Sequence, residues 1–211
     1  MLQRFLATFA LLSFLLPSLA HAASYGHFNS RPTERVSSRT LEGKTKRGMT
    51  QAHVRVSRTS VVAKRMKTYT NEKYKMSIGY PVEWSVVDNY MNTIVSFVSP
   101  LAGSADVLTE NVNILVEDAE GNSLLSSTRS ALAELNGLEN FRLVSTMDTV
   151  IDKHPGKAIV YSAGRDPQLQ FKQVWTIVNG KLYIFTFAAG SNAFRDYVKI
   201  FDKMVGTIVL H

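Results

Sequence analysis

Apolar and polar residues alternate in short blocks from Tyr69 onward, and twice the period lengthens to that of a helix. Tyr74, Met76, Ile78 and Tyr80 alternate with polar or small residues and predict a half-buried strand ending at Pro81. Trp84, Val86 and Val87 begin a second strand, and Ile94, Phe97 and Val98 make a third, closed by Pro100. Leu101 to Thr109 reads as a loop, and Val112, Ile114 and Val116 as a fourth strand. Over Ser123 to Asn136 the period becomes helical, with Leu124, Leu125, Leu132 and Leu135 on one face. Asn122 or Ser123 is the expected N-cap and Gly137 a left-handed stop.

Strands return at Phe141 to Ile151, Ala158 to Ala163 and Leu169 to Val178. The expected turns are Lys153-His154-Pro155-Gly156 and the type I′ pair Asn179-Gly180, after which Leu182, Ile184 and Phe185 carry a strand on to Ala189. A last helix carries Phe194, Tyr197, Val198, Phe201, Met204, Val205 and Ile208 at spacings of three and four, with Ser191 or Asn192 as its cap. Strands joined by tight turns, with helices at the ends of the runs, favour an α+β fold built on one antiparallel sheet.

The N-terminal third has a different texture. Arg4, an apolar run from Phe5 to Leu16, Pro17 and Ala20-His21-Ala22 follow the order of a secretory signal peptide, with cleavage expected after Ala22. The run is shorter than the ~20 residues of a membrane span. Residues 23–67 hold eleven Lys/Arg against two acids, a charge of +9, whereas residues 68–211 carry −3. With little apolar periodicity, 23–67 reads as a basic, disordered arm, and 68–211 as the folded domain. An exported chain, periplasmic or extracellular, follows from these features. The chain has no cysteine, which excludes disulfides, thiolate chemistry and a lipoprotein anchor.

Candidate chemistry is sparse. No histidines pair at a metal-binding spacing, and no nucleophile elbow or phosphate loop occurs, so neither a metal nor another cofactor is expected. His154 reads as a solvated turn residue, and Glu117, Asp118 and Glu120 as a solvated loop rather than a cation site or acid/base pair. Trp84 and Trp175 lie among strand residues and read as core. The physical case for binding rests on the arm, through Arg39, Lys44, Lys46, Arg47, Lys64, Arg65 and Lys67, whose charge would attract an anionic lipid or polymer surface. It lacks the interleaved aromatics of a nucleic-acid reader.

Three segments then carry a family resemblance. They are Tyr74-Lys75-Met76-Ser77-Ile78-Gly79-Tyr80-Pro81-Val82-Glu83-Trp84, Glu110-Asn111-Val112-Asn113-Ile114-Leu115-Val116, and Gly180-Lys181-Leu182-Tyr183-Ile184-Phe185-Thr186 running into the last helix. Residues 69–210 resemble the PsbP-like family, the group around an extrinsic protein of photosystem II and its bacterial relatives. The resemblance implies an αβα sandwich with a central antiparallel β-sheet and helices on both faces. It also implies a non-catalytic binding or assembly factor, not an enzyme, recognising a protein partner. The alternatives left open by the residues are a secreted hydrolase with an unrecognised site and an envelope tether acting through the arm.

Overall fold

The computed structural model describes residues 65–90, 92–101 and 108–211. Its strands are β1 (Met66–Asn71), β2 (Met76–Pro81), β3 (Ser85–Asp88), β4 (Val95–Val98), β5 (Asn111–Asp118), β6 (Arg142–Ile151), β7 (His154–Ala163), β8 (Leu169–Val178), β9 (Lys181–Gly190) and β10 (Val209–Leu210). Helix α1 (Leu124–Leu135) lies between β5 and β6, and α2 (Phe194–Val205) between β9 and β10. Seven strands form one antiparallel sheet in the order β3-β4-β5-β9-β8-β7-β6, and a second sheet has the order β1-β2-β10. The fold is α+β, with an antiparallel sheet covered on both faces, as the resemblance implied.

The large sheet separates two apolar layers. On one face Phe97, Val112, Ile114, Val174, Phe185 and Phe187 pack with Met76 and Ile78 of β2 and with Phe194, Tyr197, Ile200, Phe201 and Met204 of α2. Phe187 contacts both Phe194 and Phe201, at ring-centroid distances of 5.5 and 5.6 Å. Each such side chain contributes about 1.5–3 kcal/mol of transfer free energy, which is why α2 keeps its place. On the other face Leu115, Ile159, Tyr161, Phe171, Trp175 and Ile184 pack with Leu135 of α1. Both tryptophans are core residues, Trp84 on the α2 face and Trp175 on the α1 face.

The details depart from the sequence reading at several points. One sheet was expected, but β2 leaves the large sheet to pair with β1 and β10, two strands the alternation did not reveal. Mixed exposure along β1 and the two-residue length of β10 explain why. The β6–β7 turn is Asp152-Lys153, both left-handed at φ 42° and 63° as in a type I′ hairpin, and His154, Pro155 and Gly156 already belong to β7. Asn179-Gly180, at φ 50° and 73°, is the expected turn of the same kind.

Helix α1 starts at Ser123 with a reciprocal cap, in which Ser126 N donates to Ser123 Oγ and Ser123 N to Ser126 Oγ. Its buried face is Ser127, Thr128, Ala131 and Leu135, while Leu125 is exposed. Small side chains let the helix lie close to the sheet, and Thr128 satisfies its hydroxyl on Leu124 O. Gly137 is not left-handed, because Asn136 closes the helix in a right-handed conformation. Helix α2 has Ala193 at its cap position and no side-chain cap; Ser191 donates its hydroxyl to Gln168 O instead. Ile200, absent from the expected stripe, is buried. The helix end is tied to β2, since Gly79 N donates to Thr207 Oγ1, which donates to Met204 O.

Candidate functional site

Arg39, Lys44, Lys46, Arg47 and Lys64 lie outside the described residues. Arg65 is exposed just before β1, and its carbonyl accepts from Val82 N. Lys67, assigned to the arm by its charge, is instead an exposed residue of β1 opposite Tyr80. The described residues therefore bring no basic cluster together from these positions.

No group of three or more His, Asp or Glu placed to hold a metal ion occurs among the described residues. Asp118 pairs with Lys181 across the β5–β9 ladder. Glu117 is half-buried, and burial together with the charges of Glu134 and Glu120 raises its carboxyl above the ordinary carboxylate range. None of the three lies in the first turn of α1. His154 is a partly buried member of β7, paired with Ile151.

Two other arrangements emerge from the strand registers. The first is a buried polar row on the α1 face. Ser96 of β4 lies opposite Asn113 of β5, Asn113 opposite Thr186 of β9, and Thr186 opposite Gln173 of β8. All four are buried. Gln173 Nε2 donates to Thr186 Oγ1 at 2.9 Å and Asn113 Nδ2 to Asn111 Oδ1 at 3.0 Å. On the same face the Gln173 Oε1, Tyr161 hydroxyl and Trp175 Nε1 atoms are buried without a protein partner. Burial alone raises the Tyr161 phenol far above its ordinary value, so it stays neutral. The row holds no charged nucleophile or base, so its chemistry is hydrogen bonding.

The second arrangement is the outer edge of β6. Among the described residues this strand is the last in the large sheet, hydrogen-bonded to β7 alone. Its residues are exposed along nearly the whole length, and they include Leu143, Val144, Met147 and Val150, the last at 67% exposure. Proteins ordinarily protect a long edge strand with Lys, Pro, brevity or cover, because its unpaired backbone groups template another strand. Here a register shift between Leu143 and Ser145 interrupts the N-terminal end, and Asp148 is neutralised by Lys157 of β7. Among the described residues the rest of the edge is unpaired, with exposed Met147 and Val150 set among hydroxyl side chains. Sequence reasoning found the strand but not its position, because the order of strands in a sheet leaves only a weak mark in sequence. The available signal was the mixture of apolar and hydroxyl side chains on both faces of Leu143 to Val150.

No protein-family model matches the chain, and no curated protein matches it by sequence. Solved structures do resemble it. The solution structure of cyanobacterial PsbP (CyanoP) from Synechocystis sp. PCC 6803 aligns with a TM-score of 0.52 at 15% identity, over 69% of this chain and 92% of that one. The crystal structure of LpqN, involved in cell envelope biogenesis of Mycobacterium tuberculosis, aligns with a TM-score of 0.55 at 9% identity, over 69% and 90% of the two chains. At these identities the likeness is one of fold. The part of the chain that folds into the two sheets has a PsbP-like α+β architecture.

Proposed function

We propose that this chain is an exported, non-catalytic binding module of the cell envelope that recognises a protein partner by strand addition at β6. The observation that carries the reading is the open β6 edge with its exposed Leu143, Val144, Met147 and Val150. Strand addition draws affinity from main-chain hydrogen bonds and specificity from alternate side chains, and both are on offer there. The envelope role of one structural neighbour and the PsbP-like fold of the other support the setting. Among the described residues no helix is long and apolar enough to cross a membrane. The basic residues of 23–67 add contacts to an anionic surface, and such contacts weaken as salt screens them.

Affinity capture from the native envelope fraction tests the reading. It compares the full chain, the chain lacking residues 23–67, and a Val144→Lys/Val150→Lys variant. A protein enriched by the full chain and lost with the β6 variant is the expected result. Equal enrichment by both would rule out β6 as the docking edge. Binding to anionic vesicles that survives deletion of 23–67 would remove the role given to the arm.

A further inference from the structure

The β6 strand reads nearly the same in both directions. Outward from Met147 stand Thr146 and Asp148, then Ser145 and Thr149, then Val144 and Val150. Beyond these, Leu143 mirrors Ile151, and Arg142 mirrors Asp152 with opposite charge. An antiparallel pair of identical strands related by a two-fold axis through one residue places each residue opposite its mirror position. A strand of this pattern is complementary to itself.

The faces agree with that pairing. Met147 lies opposite Ala158, whose side chain is in the α2-side layer, and Ser145 and Thr149 alternate onto the same face. Thr146, opposite the α1-side Ile159, shares its face with Asp148 and Val150. Ser145 and Thr149 therefore share one face and Thr146 and Asp148 the other, and two large sheets would run on into each other with α1 on the same side in both copies. The two Asp148 carboxylates would sit diagonally, each already held by its own Lys157. Ile151 is buried in the α2-side layer, and the irregularity between Leu143 and Ser145 bends the other end. The regular mirror-matched stretch is thus Ser145 to Thr149, with Val144, the unpaired residue at the register shift, and Val150 flanking it.

We propose that the occupant of the β6 edge is a second copy of this chain, paired antiparallel about Met147 to give one continuous sheet. This rests on the reading of β6 as the docking edge and names the partner there. The interface is isologous and closes on itself, so it stops at a dimer.

Because the chain contains no cysteine, a single introduced thiol reports the axis. Directly opposed residues of an antiparallel pair have Cα atoms about 4.5–5.5 Å apart, within the range a disulfide spans. In the full chain, Met147→Cys is expected to form a disulfide-linked dimer under mild oxidation at least roughly tenfold faster than Leu125→Cys or Thr149→Cys, because pairing raises the local thiol concentration only at the axis. In sedimentation the unmodified chain is expected to show a dimer fraction rising with concentration. The Val144→Lys/Val150→Lys variant should remain monomeric, with the unfolding midpoint that the unmodified chain has when dilute, because only the dimer adds concentration-dependent stability. Cross-linking at 147 no faster than at 125, or a chain that stays monomeric at every concentration, would overturn the proposal. Should the chain be monomeric while the same double variant still abolishes envelope capture, the homotypic partner is wrong and the β6 reading stands. Should capture persist as well, both fall.

Discussion

Strands β9 and β6 are both ten residues long, and each is half of a type I′ hairpin in the same sheet. β9 lies between β5 and β8 and is buried from Leu182 to Gly190. Among the described residues β6 has one neighbour, and it is exposed from Arg142 to Val150 apart from Ser145 and Thr149, which are partly buried. The residues follow the difference. β9 places Phe185 and Phe187 toward α2 and Ile184 and Ala188 toward α1, so both faces are apolar and the backbone is paired on both sides. β6 mixes Val, Ser, Thr, Met and Asp, and one row of its backbone groups faces away from the sheet. Strand length and turn chemistry are alike in the two. What separates them is whether the sheet continues, and that sets one strand as scaffold and the other as surface.

The contrast can be broken most severely at the scaffold. Phe187→Ala would remove the ring that meets Phe194 and Phe201 and leave a cavity under α2. A loss of about 3–5 kcal/mol is expected by denaturant titration. Next comes Gly156→Ala at the inner side of the β6–β7 hairpin. The added Cβ would lie 2.8 Å from Trp175 O, a backbone atom of β8 that the ladder holds in place. A cost of about 1–3 kcal/mol is expected in the same assay.

A smaller effect sharpens the electrostatics of the α1 face. Burial first, then Glu134 and Glu120, raise the Glu117 carboxyl in the folded state. The folded chain then binds that proton more tightly than the unfolded chain. Stability from this group is therefore present below the ordinary carboxylate range and is lost as pH rises through the raised value. Glu117→Gln should raise the thermal midpoint modestly at neutral pH, with the gain shrinking as pH falls through that window. A midpoint difference that is constant with pH would contradict the assignment. The smallest stability change belongs to β6 itself. Val150→Lys should shift unfolding by no more than about 0.5 kcal/mol, because the side chain is solvated in the single chain.

Much of the fold was legible because periodicity records burial. The alternation at Met76 to Tyr80, the Asn179-Gly180 turn and the stripe from Phe194 to Met204 each correspond to an observed element. Contacts made at long range were not legible. β10 is a strand only because Ser77 and Met76 lie beside it, and Leu125 is exposed because the sheet sits on another side of α1. The turn falls at Asp152-Lys153, earlier than Pro155-Gly156, the stronger local turn signal, indicates, because Pro155 is accommodated at the start of β7 with its carbonyl accepting from Thr176. The buried row from Ser96 to Gln173 exists only once four strands are in register. For the site, charge drew attention to the basic segment, whereas the β6 edge depended on strand order, a property of the whole sheet.

Amide hydrogen exchange along β6, followed as a function of protein concentration, tests the central claim most directly. Alternate amides between Val144 and Val150 face away from β7, and the account predicts that they exchange rapidly in dilute protein and become protected as concentration rises. The β9 amides should remain protected throughout. Outward-facing β6 amides that exchange at the same rate at every concentration would contradict the claim that this edge receives a second copy of the chain.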